Sequence, residues 1–222
     1  MLNLIIFDMD GVIVDSEFVG FSYLQKFVEQ IKQRTTPISH EEYSAIIGRS
    51  YDDLYLAIKD LSQSNLSIKE IGIKLGEFSK QHLSNIDYFS IFRKDILHII
   101  QFAKQNNIKL ALASSSEVKR MEQILADCGI RQYFDYVVSG TVFPKSKPHP
   151  EIYQHVLAHF NLSADQAIAI EDSSLGIESA KGAGIKVIAY EENRMAMDQS
   201  LADYKGKDMQ AILAIIQHLY SE

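Results

Sequence analysis

The sequence predicts an α/β fold: a Rossmann-like parallel sheet core with an all-helical domain inserted after its first strand. Three observations carry this. Short, nearly continuous apolar runs recur at 2–7, 108–113, 136–138, 167–170 and 186–189, as expected of strands buried on both faces. Helical patterns fill the gaps at 117–127, 150–160 and 174–182, and an amphipathic stretch at 207–219 closes the chain, so strands and helices alternate as in a parallel sheet. The first gap is out of scale. Phe7 and Ile108 are separated by 100 residues, whereas a strand–helix–strand unit takes about 30.

The first run ends in an acidic turn, Asp8-Met9-Asp10-Gly11. The insertion follows. Phe18, Leu24, Phe27, Val28 and Ile31 share one helical stripe. Ser39-His-Glu-Glu42 and Ser67-Ile-Lys-Glu70 match the Ser-x-x-Glu capping box, and Ser50-Tyr-Asp-Asp53 is a weaker version. Gly48 stands where the helix after Ser39 would stop. Four helices and no strand are expected there. The expected domains are residues 1–15 and 88–222 as the α/β core and 16–87 as the helical domain, joined near Asp15 and near 87–92. Farther on, Gly129 and Gly184 lie where their helices would end. Pro148 and Pro150 hold the loop around Lys147 extended and stiff.

Composition narrows the function. The chain has 222 residues, is 46% hydrophobic and carries a formal charge of −7. A sizeable core is assured, and no clustered basic charge suits nucleic acid or an anionic membrane. A small phosphorylated substrate needs only a few local cations or a metal. The one cysteine, Cys128, has no internal partner, which fits a reducing compartment. The start of the chain lacks a basic segment ahead of its apolar run. The longest other apolar run, 96–103, contains His98 and Gln101, short of the roughly 20 residues of a membrane span. A cytoplasmic protein, monomeric or weakly dimeric, is expected.

Asp8 and Asp10 lie two apart at a strand end, where extended side chains project to the same side. Their mutual repulsion is relieved by a divalent cation or a shared proton; alternatively the pair is an ordinary polar strand exit. Glu171-Asp172 follows the run 167–170. A helix N-cap needs one short acid; two acids at the end of an apolar strand exceed that need. Parallel strands place their carboxyl ends on one edge, so Asp8, Asp10, Glu171 and Asp172 are expected to converge there. An all-oxygen donor set describes Mg²⁺ rather than zinc. Ser114-Ser115-Ser116 precedes a helix, where hydroxyls and unpaired N–H groups suit a phosphate oxygen or simply cap the helix. Lys147 either brings a fixed cation to the acids or is solvated. Other chemistry is absent: His40-Glu41-Glu42 lacks the second histidine of a zincin motif, His155 and His159 lack a third ligand, and no glycine-rich nucleotide loop occurs.

Together these elements resemble the haloacid dehalogenase-like (HAD) hydrolase superfamily, in the branch containing β-phosphoglucomutase and small sugar-phosphate phosphatases. The resemblance runs nearly the whole chain. It rests on Phe7-Asp8-Met9-Asp10-Gly11-Val-Ile-Val-Asp15-Ser16-Glu17, on Ser114, on Ser146-Lys147-Pro148 with Pro150-Glu151-Ile152-Tyr153, and on Glu171-Asp172-Ser173 with Gly176 and 180–184. It implies that Asp8 attacks phosphorus to give an aspartyl-phosphate. Asp10 would protonate the leaving alcohol and then activate water. Ser114 and Lys147 would bind the transferring phosphoryl oxygens, with Ser115 and Ser116 contributing to substrate binding. Mg²⁺ would be held by Asp8, the Asp10 backbone carbonyl and Asp172, with Glu171 direct or through water. The insertion resembles the family's helical cap, in which Gly48 and Arg49 would lie on a loop reaching the substrate.

Departures bear on the reaction. Where the mutase carries a histidine and two lysines this chain has Gly20, Glu117 and Gly76, and Arg93-Lys94 replaces a usual Pro-Gly before the helix leading to the second strand. A mutase must hold two phosphate positions and shield its aspartyl-phosphate from water, so these losses weaken mutase activity more than hydrolysis. The expected reaction is Mg²⁺-dependent hydrolysis of a small phosphorylated metabolite. A β-phosphoglucomutase-type phosphomutase is the alternative, and a receiver-like phosphorylatable or non-catalytic module is the third reading.

Overall fold

A computed structural model describes residues 1–47, 51–83 and 86–221. The described chain divides into two compact units. One comprises Met1–Asp15, Tyr88–Glu192 and Met197–Glu222; the other comprises Ser16–Asp87 and Asn193–Ala196.

The first unit is the Rossmann-like α/β core. Its strands are β1 (Leu4–Phe7), β2 (Lys109–Ser114), β3 (Tyr136–Ser139), β4 (Ala167–Glu171), β5 (Lys186–Tyr190) and β6 (Tyr204–Gly206). All neighbours pair in parallel, in the order β3-β2-β1-β4-β5-β6. The side-chain period of two divides each strand between two cores. Ile5, Phe7, Leu110, Leu112, Ile168 and Ile170 enter one core. It is covered by α5 (Ile96–Gln105), α6 (Val118–Asp127) and α9 (Met209–Ser221), here numbered after the four helices of the second unit. Leu4, Ile6, Ala111, Ala113, Ala167 and Ala169 enter the other, covered by α7 (Glu151–Phe160) and α8 (Ser174–Gly182). The small residues on this second face let α7 and α8 approach the sheet closely.

Register places the chemistry. Phe7 is level with Leu112 on one side and with Ile170 on the other. The next residue of each strand, Asp8, Ala113 and Glu171, therefore reaches the same edge of the sheet. The Asp8 N–H donates to the Ile170 carbonyl at 2.9 Å, extending the ladder by one step. This edge flanks the strand from which the order runs out in both directions, where open α/β sheets form a ligand crevice.

The acidic turn folds on itself: the Gly11 N–H donates to the Val14 carbonyl at 2.7 Å. The chain leaving the core pairs with the chain returning to it. Asp15 N–H donates to the Ile91 carbonyl at 2.9 Å, and Arg93 N–H to the Ile13 carbonyl at 3.0 Å.

The second unit holds α1 (Ser16–Ile31), α2 (His40–Ser44), α3 (Tyr51–Ser62) and α4 (Ile68–Leu83). Ser39 and Glu42 cap α2 reciprocally, as Ser67 and Glu70 cap α4. Phe21, Phe27 and Val28 are the buried stripe of α1; Phe18 is only half-buried and lies 4.1 Å under the Arg194 guanidinium. The segment Asn193–Ala196, expected in the α/β core, groups with the helices instead, and the Arg194–Phe18 contact is one that it makes there. Among the described residues no helix is long and apolar enough to cross a membrane.

Candidate active site

Side-chain alternation puts Asp8 and Glu171 on the same sheet face as Ile6 and Ala169, the face covered by α7. Lys147, in the loop entering α7, meets them there. Its ammonium lies 2.7 Å from Asp8 Oδ1, 2.6 Å from Glu171 Oε1 and 2.9 Å from the Ala113 carbonyl. Three donors meet three acceptors, so the cation is fixed. The Tyr153 hydroxyl of α7 donates to the same Glu171 Oε1.

These charges are buried: Asp8 is 7% exposed, Asp172 2% and Glu171 0%. Burial opposes the charge of Lys147, yet Asp8 and Glu171 hold it well above the usual lysine range. Burial pushes the Asp8 carboxyl up to about 8 against the pull of Lys147, and Glu171 and Asp10 add to the rise. Burial, then Glu171, likewise raises the Tyr153 hydroxyl.

Asp8, Glu171 and Asp172 offer carboxylate oxygens that all lie within 4.8 Å of one another. Two glycines make room for them. A Cβ on Gly11 would stand 1.8 Å from Asp172 Oδ2, and one on Gly176 would stand 2.0 Å from Glu171 Oε2. Three buried carboxyl groups converge beside one lysine, and every donor is a hard oxygen. The donor set fits a metal ion of the Mg²⁺ type.

Of the four acids expected to converge, Asp10 directs its carboxylate elsewhere. It accepts from both Arg120 Nη atoms, at 2.7 and 2.8 Å, and from Ser116 Oγ at 2.8 Å. Ser114 is buried, and its hydroxyl accepts from the Ser116 N–H at 3.1 Å. Ser115 is exposed, its Cα packed 3.3 Å from where a Cβ on Gly140 would stand. Gly48 and Arg49 lie outside the described residues.

Four site residues escaped the sequence analysis as functional groups. Arg120 grips Asp10. Tyr153 holds Glu171. Gln199 Nε2 donates to the Asp172 carbonyl at 2.6 Å and to the Tyr190 carbonyl at 2.8 Å, anchoring the acidic end of β4. Arg93 donates to the Gly11 carbonyl at 3.1 Å, to Tyr190 at 2.7 Å and to Asp15 at 2.8 Å. It thus ties the acidic turn to the re-entering chain where Pro-Gly was the usual pattern.

A sequence model described as haloacid dehalogenase-like hydrolase matches residues 5–190. The phosphorylated carbohydrates phosphatase of Thermotoga maritima is 31% identical over 191 residues, covering 84% of each chain. The β-phosphoglucomutase of Bacillus subtilis is 27% identical over 224 residues, covering 94% of this chain and 92% of that one. A conserved haloacid dehalogenase-like protein of Agrobacterium tumefaciens shares the fold, with a TM-score of 0.77, 24% identity, and coverage of 99% of this chain and 100% of that one.

Proposed function

The chain belongs to the haloacid dehalogenase-like hydrolases as a phosphoric monoester hydrolase, and from that premise we propose a cytoplasmic, Mg²⁺-dependent phosphatase acting on a small phosphorylated metabolite, a sugar phosphate by class. The observation that carries this reading is Lys147 bridging Asp8 and Glu171 inside a buried carboxylate cluster at the carboxyl edge of the sheet. A carboxylate attacker and a phosphoryl group repel each other, and the ammonium of Lys147 beside Asp8 supports the reading because it would offset that repulsion.

Asp8 attacks phosphorus; the ester P–O bond breaks and the departing alkoxide takes a proton from Asp10. Asp10 then takes a proton from water, the water oxygen attacks phosphorus, the bond to Asp8 breaks and phosphate leaves. Asp8, Asp172, Glu171 and the Asp10 backbone carbonyl are the groups that would hold Mg²⁺. When bound, the ion offsets the charge of the carboxylates and of the phosphoryl oxygens. Lys147, its three donors engaged within the protein, acts on the phosphoryl group by charge. The Ser114 hydroxyl accepts from the Ser116 amide, so its own proton is the one that meets a phosphoryl oxygen. Ser115, Ser116, Gly48 and Arg49 remain proposed substrate contacts.

The kinship with a β-phosphoglucomutase supports a phosphomutase as the second reading. Gly20, Glu117 and Gly76 weigh against it. Phosphate release from a panel of phosphorylated metabolites, with and without Mg²⁺ and with Asp8→Asn beside the native chain, tests the proposal. Mg²⁺-dependent release abolished by Asp8→Asn is expected; release by that variant would refute it. Isomer without free phosphate from β-glucose 1-phosphate and a bisphosphate primer would favour the mutase.

A further inference from the structure

We propose that Arg120 is the positioning residue for Asp10: its guanidinium fork and the Ser116 hydroxyl set the carboxylate orientation from which Asp10 exchanges its proton. The inference rests on the reading above that Asp10 is the general acid and base, and adds to it a residue in the helix behind the serines.

The geometry is specific. Arg120 Nη2 donates to Asp10 Oδ1 at 2.7 Å and Nη1 to Oδ2 at 2.8 Å, a bidentate fork that fixes the plane of the carboxylate as well as its distance. Ser116 Oγ, 2.8 Å from Asp10 Oδ2, also accepts from Arg120 Nη1. The fork is itself held from behind: Arg120 Nε donates to the Tyr88 hydroxyl at 3.2 Å, and the guanidinium lies 5.6 Å from that ring's centre. Both partners are partly withdrawn from water, with side-chain exposures of 34% and 17%. Solvent therefore screens the pair less than a surface bridge.

The location is costly for stability alone. Arg120 is the third residue of α6, where the helix dipole disfavours cations. No acid occupies that first turn. A cation kept at the wrong end of a helix, and forked onto one carboxylate of the acidic turn, points to control of that carboxylate.

A positioning role predicts a signature that a merely structural role does not. Proton delivery matters for a poor leaving group and hardly at all for a good one. The test measures kcat/KM of the native chain, Arg120→Ala, Arg120→Lys, Asp10→Asn and the double variant on glucose 6-phosphate and on p-nitrophenyl phosphate. Arg120→Ala is expected to lose about 10²-fold on glucose 6-phosphate and less than about 5-fold on p-nitrophenyl phosphate. Arg120→Lys should fall between, because a point cation cannot reproduce the fork. Adding Arg120→Ala to Asp10→Asn should cost less than about 2-fold more, since both act through one carboxylate. Equal losses on both substrates, or additive losses in the double variant, would overturn the inference. If Arg120→Ala does not fold, Arg120→Lys and Arg120→Gln carry the same leaving-group contrast. Native activity lost in Asp8→Asn but lacking that contrast sinks the Arg120 role alone; a native chain that releases phosphate from neither probe, or an active Asp8→Asn, sinks the parent reading and this one with it.

Discussion

Gly11 passes so close to Asp172 that a single added carbon would stand 1.8 Å from the carboxylate oxygen Oδ2. The first acidic turn and the second are thus interlocked through backbone at one end and a carboxylate at the other, and Gly11 also carries a φ of +77°. Gly11→Ala meets both overlap and backbone strain. Gly176→Ala meets overlap with Glu171 alone. Each is expected to cost about 1–3 kcal/mol, a fall of roughly 2–12 °C in Tm. Gly20→Ala and Gly76→Ala, in helices with nothing within 4 Å of the new carbon, should instead stabilise by about 0.5–1 kcal/mol. Thermal melts of the four variants check the contrast; Gly11→Ala as stable as the native chain would contradict it.

Lys147 is the cation shared by Asp8 and Glu171, at 2.7 and 2.6 Å. Lys147→Met leaves two buried carboxylates facing each other and should cost about 3–5 kcal/mol. At pH values above about 8, where the Asp8 carboxyl is ionised, Asp8→Asn with Lys147→Met should be less destabilised than Lys147→Met alone, because the repulsion is gone. Denaturant titrations of the two variants decide this, and an unchanged midpoint in Lys147→Met would show that the buried pair is not coupled.

Mg²⁺ should stabilise the folded chain by about 2.7 kcal/mol at 100 times its Kd, a rise of roughly 5–10 °C in Tm. Asp172→Asn removes one of the three converging carboxylates and should abolish most of that rise. A Mg²⁺ response intact in Asp172→Asn would place the cation elsewhere.

With no metal bound, burial pushes the Asp8 carboxyl up from its ordinary 3.8 to about 8. The folded state then holds the proton more tightly than the unfolded one. The stability that this group contributes is fully present below the unfolded value, declines between the two values and is lost above the folded one. Asp8→Asn has no such decline, so its Tm should gain on that of the native chain between about pH 5 and about pH 8. A gap that narrows over that interval would mean that the carboxyl is ionised without metal.

Much of the fold was legible because β1 and β4 are continuously apolar and run straight into acids. Asp8 and Glu171 could be placed on one edge from strand parallelism alone, and Ser39, Glu42, Ser67 and Glu70 announced their helix starts by spacing. What was missed depends on contacts distant in sequence. Arg120 looked like one more polar residue of an amphipathic helix; only its place in the first turn, where a cation is disfavoured, signalled a use. Tyr153 stood in a quoted motif, yet its bond to Glu171 needs α7 to pack on the sheet. Gln199 lies in a stretch without periodicity, and β6 is a three-residue edge strand too short for an alternating pattern. The segment 193–196 groups with the helices, where Arg194 lies over Phe18, a contact that no local signal encodes.

The central claim is that Asp8 carries the phosphoryl group. The most direct measurement is borohydride trapping: the native chain is mixed with Mg²⁺ and a turned-over phosphate ester, quenched, reduced and mapped by peptide mass spectrometry. The account predicts conversion of residue 8 to homoserine, dependent on substrate and absent in Asp8→Asn. Reduction at another carboxylate, or turnover that persists in Asp8→Asn, would contradict it.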